Sequence, residues 1–298
     1  MFRIDHRALS DLTTFAHLEI ASKDVEPWAL IIRELYTNGD LNTEQALWVL
    51  SLYNTYDSLG SAWQIFQRWT DPLQCAVAVD GQDAAQYPIM QERRNLFGGR
   101  VLRRLNDYSA HLTNGQQMPW LTSCLVFDDA HADYARLMKH LRQIWGVGRL
   151  AAFEWAEFLA KVTDFPVHSP DAELWESSGP RKSLEKIYGN NNPTQDWLTE
   201  AAVHCRQHLR DQGVPLEWED FETIICDFNV MRGGRYYVGR HLAALKQEIC
   251  ELPDAADREI LMAAWRRIIP AEWVDIPPGI NKVHMPLYKE TGLIRDCA

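Results

Sequence analysis

Paired cysteines are missing from this sequence. Cys75, Cys124, Cys205, Cys226, Cys250 and Cys297 are scattered, with no CxxC spacing. That argues against an iron–sulfur cluster, a zinc ribbon or a disulfide framework, and fits a reducing compartment. Long apolar runs are missing too. No segment approaches the roughly 20 residues of a membrane span, and Met1-Phe2-Arg3-Ile4-Asp5-His6 lacks a signal-peptide core. The expectation is a chain without membrane contact that stays in the cytosol where it is made. Strand-type alternation is nearly absent, Cys124-Leu125-Val126-Phe127 being the best short candidate. There is no G-x-x-x-x-G-K-[ST] phosphate loop, which excludes a P-loop kinase. Solenoid-period repeats and low-complexity tracts are also absent.

Positive charge is in short supply overall. Thirty Lys and Arg stand against 41 Asp and Glu, a net charge of −11. This opposes any polyanion partner unless the cations are concentrated. They are: Arg93, Arg94, Arg100, Arg103 and Arg104 fall within 14 residues beside the single acid Glu92, and Arg232, Arg235, Arg240 and Lys246 form an acid-free run. A basic face on an acidic body is one reading, and ordinary solvated helix faces are the other.

What the chain does have is helical periodicity. Asn42-Thr43-Glu44 reads as a cap before an apolar helix over residues 45–53, and a second helix runs from Ser58 to Trp69, stopping at Asp71-Pro72. Further helical stretches are expected near 85–96, 100–112, 131–144, 149–162, 182–188, 195–212, 218–230, 237–250 and 255–268. The stretch from Pro277 to Gly292 reads as irregular and packed back on the body. At 298 residues the chain can bury a large core.

Two glycines punctuate this pattern at Trp145-Gly146-Val147-Gly148-Arg149. Glycines around one apolar residue permit a sharp positive-φ turn. Amides at the start of the next helix can hold a phosphate without a side chain. A GxG between helices also serves as a plain connector, so context decides. This stretch resembles the hairpin of the helix-hairpin-helix DNA glycosylase superfamily, and the segment from Leu50 to Ser58 resembles that superfamily's L-L-S-x-Q-x-x-D segment. The resemblance covers roughly residues 42–170. It implies an all-α, two-lobed, helix-hairpin-helix DNA-glycosylase-like fold in which residues 42–170 form the hairpin lobe and residues 171–298 with 1–41 form the second. It implies that Trp145, Gly146, Val147, Gly148 and Arg149 grip DNA and that Asn54 enters the space left by a flipped base. The departures matter as much. Leu150 stands where lyase-type members carry a Schiff-base lysine, and the count to their catalytic aspartate lands on His168. A histidine cannot supply the same negative charge to an oxocarbenium-like centre. Base extrusion is kept in this reading, and glycosidic cleavage is lost.

A second constellation runs from Phe221-Glu222 through Cys226-Asp227-Phe228 to Met231-Arg232-Gly233-Gly234-Arg235-Tyr236-Tyr237-Val238-Gly239-Arg240-His241. Arginines, paired glycines and tyrosines after an acidic helix suit a polyanion beside an aromatic platform. A glycine C-cap with core tyrosines is the plainer alternative. Gly98-Gly99-Arg100 and Gly179-Pro180-Arg181 add two more candidate anion sites. With the hairpin, this combination resembles the phage thymine-pyrophosphorylase-like proteins, also described as amino acid:DNA transferases, which act in hypermodification of thymidine.

That resemblance implies a double-stranded DNA partner carrying 5-pyrophosphomethyl-uracil and a free amino acid, glycine favoured, whose amine displaces pyrophosphate. The setting would be the cytoplasm of an infected bacterial host. No cofactor is required, and whether Mg²⁺ accompanies the pyrophosphate stays open. Growing negative charge on the leaving group calls for cations: Arg100, Arg232, Arg235 and Arg240, with Arg103, Arg104 and Arg181 behind them. An amine that must lose a proton calls for a base, the candidates being Glu222, Asp227 and His168 in that order. Tyr236 or Tyr237 would wall the extruded base. Two alternatives remain: a non-catalytic duplex clamp, and a divergent monofunctional glycosylase using Asp171.

Overall fold

The structure, a computed structural model, describes residues 2–78, 86–97 and 99–279. Gly98, Cys297, the first residue of the helix expected over 85–96 and the chain beyond Gly279 lie outside the described residues. The fold is all-α. In chain order the helices are α1 (His6–Ser22), α2 (Pro27–Thr37), α3 (Thr43–Tyr56), α4 (Leu59–Arg68), α5 (Pro72–Ala78) and α6 (Arg100–His111). Next come α7 (Gln117–Thr122), α8 (Ala130–Leu141), α9 (Arg149–Thr163), α10 (Ser178–Tyr188) and α11 (Gln195–Asp211). The last are α12 (Trp218–Arg232), α13 (Arg240–Cys250), α14 (Ala255–Ile268) and α15 (Ala271–Val274). Short 3₁₀ turns occupy Gln91–Leu96 and Leu174–Glu176.

Cys124–Phe127, the best short strand candidate, forms no strand. The backbone N–H groups of Val126 and Phe127 donate to the Asp133 carboxylate at 2.9 and 2.7 Å, and Phe127 adopts φ 63°. With its donors taken by a helix side chain, the segment has none left for a ladder. Among the described residues the one isolated β-bridge is Thr113 with Gln116. No helix among them is long and apolar enough to cross a membrane.

Two compact units emerge. One, the hairpin unit, comprises Trp28–Ser169 with Gln247–Ile268; the other holds the N-terminal segment to Pro27, Pro170–Lys246 and the described residues from Ile269 on. Residues 28–41 and 247–268, expected with the second lobe, group with the hairpin unit instead. Side chains explain this. Trp28 stacks on Tyr53 with centroids 3.5 Å apart, Arg267 pairs with Glu34 at 2.5 Å, and Glu248 accepts from Ser58 Oγ and Gly60 N at 3.0 and 2.9 Å.

The hairpin unit is built around α3, which starts at an Asn42–Gln45 capping box and is buried on nearly every face. Helices α4, α6, α7 and α9 pack on it. Trp48 is fully buried and its Nε1 still finds the Trp69 carbonyl at 2.8 Å. Burying an apolar side chain of the size of Leu50 or Leu52 contributes about 1.5–3 kcal/mol, so this helix organises the unit.

In the second unit α12 is the central element, packed by α10 and α1, with α11 against α10. The α10–α12 approach depends on Gly179, where an added Cβ would lie 2.7 Å from Cys226 Sγ. Along α1 the buried positions Leu9, Leu12, Phe15, Ala16, Glu19 and Ser22 form one helical stripe. The stripe is apolar until Glu19, where it delivers a carboxyl group into the core.

Candidate functional site

In the second unit that carboxyl group joins a buried polar cluster. Asp24, fully buried just after α1, accepts from Gly239 N at 2.7 Å, Leu242 N at 2.8 Å and the Tyr236 hydroxyl at 2.8 Å. It therefore satisfies amides at the start of α13 that would otherwise be orphaned. Tyr236 Oη also lies 3.1 Å from Glu19 Oε2. A hydroxyl has one proton to donate, so two carboxyl partners require a proton on one of them. Burial, with Asp24 and Asp227 nearby, holds the Glu19 carboxyl well above the usual carboxylate range, so Glu19 supplies it. His241, the second residue of α13, directs Nδ1 to the Asp24 carbonyl at 3.2 Å, with Asp227 Oδ2 3.9 Å away.

Asp227 titrates well away from an ordinary carboxylate. Burial pushes its carboxyl up to about 6; His241 and Arg240 pull the other way, and Asp24 and Glu26 add to the rise. Oδ2 is buried without a hydrogen-bond partner among the described residues. His241 is raised above its ordinary value: burial lowers it, but Asp227 and Asp24 more than offset that. The Arg240 guanidinium donates to the Arg235 carbonyl at 2.6 Å and sits 5.9 Å from the Tyr236 ring. Arg232 and Arg235 are exposed on the same turn, where Gly234 takes φ 68°. Asp227, His241 and Arg240 thus act on one another, and Arg232 and Arg235 are exposed on the turn that joins α12 to α13.

Several expected roles change. Glu222 is buried and accepts from Ser177 Oγ at 2.9 Å, anchoring the entry to α10. It points to a different partner from Asp227, as their five-residue spacing implies. Tyr236 and Tyr237 are 2% and 5% exposed, so neither ring is open to a flipped base; their apolar rings went to the core. An exposed aromatic in this unit is Trp175, 5.5 Å from the Arg181 guanidinium. Arg181 itself pairs with Glu185 at 2.8 Å. Asp171 accepts from Glu173 N at 2.7 Å in a local turn.

The hairpin unit carries the other candidates. Between α8 and α9, Gly146 has φ 80°, Val147 is buried, and Gly148 caps α9 without a side-chain cap hydrogen bond. Trp145 N donates to Asp107 Oδ2 at 2.6 Å, and its half-exposed ring lies 4.2 Å from the Arg103 guanidinium. Arg149 begins α9, half-buried. Arg100 is exposed, with a 3.5 Å contact to the Asn95 carbonyl. These groups suit a phosphate backbone.

Asn54 and Arg104 do not. Asn54 is fully buried, donating to the Ala151 carbonyl at 2.9 Å and accepting from Arg104 Nη2. It cannot enter a duplex without dismantling this unit. Arg104 is 1% exposed, and burial beside Arg93 pushes it down to about 9 despite Glu154. Its Nε and Nη1 have no partner among the described residues. Arg93 donates to the Asn54 carbonyl at 2.8 Å and pairs with Glu154. This buried arginine layer underlies the hairpin: an added Cβ on Gly146 would reach Arg104 Cδ at 4.0 Å. His168 is exposed, with its backbone held by Ala130 and His131.

Glu19, Asp24, His241 and Trp175 were missed by the sequence reading. Glu19 left a trace, being a carboxylate in register with an apolar stripe. Asp24 and His241 are 217 positions apart and left none.

A family model described as amino acid:DNA transferase matches residues 21–236. The match takes in Asp24, the hairpin, Asp227 and Tyr236 and ends before His241. No curated protein matches the chain. Because the match spans well over half of its length, the chain belongs to the amino acid:DNA transferase family and is a transferase that modifies DNA.

Proposed function

We propose that the enzyme joins the amine of a free amino acid, glycine favoured, to the 5-methylene carbon of 5-pyrophosphomethyl-uracil in double-stranded DNA, releasing pyrophosphate. The observation that carries this reading is the Asp227–His241 pair with Arg240 acting on both, on a segment whose turn also exposes Arg232 and Arg235. A carboxylate and an imidazole near neutral pKa suit an amine that must shed a proton. Cations beside them suit a leaving group that gains charge. The first amides of α9 after Gly148, with Arg103 and Arg149, would hold the DNA backbone. Turning the base out of the duplex would free its methylene carbon for attack, and within the second unit Trp175 with Arg181 offers a stacking surface. The reaction needs no resident cofactor, and Mg²⁺ would arrive as a counterion of the pyrophosphate. Such a substrate belongs to phage DNA in an infected bacterium.

The test uses duplex DNA verified to contain 5-pyrophosphomethyl-uracil, incubated with the protein and each amino acid in turn. Pyrophosphate release that depends on the amino acid is expected, with the matching aminomethyl nucleoside in the digested DNA. Absence of both with every amino acid tried overturns the reading and leaves a duplex clamp. Free modified base in its place establishes a glycosylase.

A further inference from the structure

Resting on that reaction, we infer that His241 Nε2 is the general base for the incoming amine and that Asp227 is its positioning partner rather than the base itself. A carbonyl can only accept, so the 3.2 Å contact to the Asp24 carbonyl requires the hydrogen on His241 Nδ1. In the neutral ring the lone pair is then on Nε2. Nε2 has no hydrogen bond among the described residues, and the side chain is 38% exposed, whereas that of Asp227 is 14% exposed. The orientation is held from behind. The Asp24 carboxylate takes Gly239 N, Leu242 N and the Tyr236 hydroxyl, so the carbonyl that grips His241 cannot drift. The Tyr236 ring meets the imidazole edge-on at 5.1 Å.

The groups acting on His241 are Asp227 from α12, Asp24 from the segment after α1, Tyr236 from the turn and Arg240 beside it; Glu26 and Glu19 act on Asp227 behind them. Burial raises Glu19 well above the usual carboxylate range; for His241, burial and Arg240 oppose imidazolium, and Asp227 and Asp24 more than offset them. That keeps the imidazole basic enough to accept a proton near neutral pH. In the step, Nε2 takes one proton from the substrate ammonium. The freed nitrogen lone pair forms the C–N bond at the methylene carbon as the C–O bond breaks. Pyrophosphate leaves with that electron pair, the product is a secondary ammonium, and His241 returns its proton to water.

The experiment measures pyrophosphate release against pH for the wild type, His241→Gln and Asp227→Asn, alongside DNA binding and an NMR titration of the histidine rings. Wild-type kcat/KM should rise along an acidic limb that matches the His241 titration. His241→Gln should lose at least about a hundredfold in kcat at neutral pH with DNA affinity unchanged, and regain rate as pH approaches the amine's own pKa. Asp227→Asn should move both the acidic limb and the His241 titration to lower pH, which a purely structural role would not do. Near-normal kcat in folded His241→Gln overturns the inference while leaving the reaction intact. So does an Asp227→Asn variant in which the ring titration is unmoved, whatever its activity. A wild type that releases no pyrophosphate overturns the reaction as well.

Discussion

Asp227 occupies a position that favours chemistry over stability. Its carboxyl is pushed up to about 6 from an ordinary value of 3.8, first by burial. The folded chain therefore holds this proton more firmly than the unfolded chain. The stability it contributes is fully present below about pH 4 and is lost as pH rises through 6. At pH 8 the ionised carboxylate works against folding by about 1–3 kcal/mol. His241 and Glu19, both raised, have the same sign. Asp227→Asn is expected to raise the denaturation midpoint, with a larger gain at pH 8 than at pH 5, while lowering turnover. Urea melts at the two pH values check this, and equal or negative shifts would contradict the burial argument. The same scale explains why Asn54 misled. A polar residue in an apolar helix reads alike whether it meets a base or a buried arginine, and only Arg104 distinguishes the two.

At the scale of elements, the hairpin separates two glycines that look equivalent in the sequence. Gly146 needs its positive φ, and an added Cβ there would meet Leu96 Cδ2 at 3.3 Å. Gly148 has φ −85° and nothing within 4 Å of an added Cβ. Gly146→Ala should cost about 1–2 kcal/mol in a denaturant melt. Gly148→Ala should melt within about 0.5 kcal/mol of the wild type, yet weaken DNA binding several-fold because the methyl group occupies the phosphate's approach. Unchanged DNA affinity in Gly148→Ala would remove the hairpin from the interface. Tight backbone approach also governs α10 and α12, where Gly179 is occupied by helix packing against Cys226. The Gly-Pro-Arg start at that point is therefore a packing device as well as a candidate anion site.

For the whole molecule, a net charge of −11 means that DNA affinity must come from a few placed cations against a repulsive background. Affinity should fall with salt at a slope set by those few phosphate contacts. Arg103→Gln should flatten the slope of log K against log salt by about one, measured by anisotropy with a modified duplex. A slope indifferent to Arg103 would take Trp145 and Arg103 out of the contact surface.

Helical class, most element positions and the hairpin were legible because each is set locally. The 3.6-residue apolar period, the Asn42 and Ser58 caps and the Gly146-Val147-Gly148 turn depend on neighbours within a few residues. The arginine turn at Arg232–Arg240 was legible for the same reason. Burial and partnership were not, because they are decided between segments distant in sequence. Tyr236, Asn54 and Arg104 look like surface chemistry until α1, α6 and α9 close over them. His241 becomes a candidate base only when Asp24, more than two hundred residues earlier, presents its carbonyl. The sequence by itself determined which helices form and where cations cluster. The tertiary structure alone decided which polar groups are desolvated and which nitrogen keeps a free lone pair, since desolvation and hydrogen-bond geometry exist only once the chain is packed.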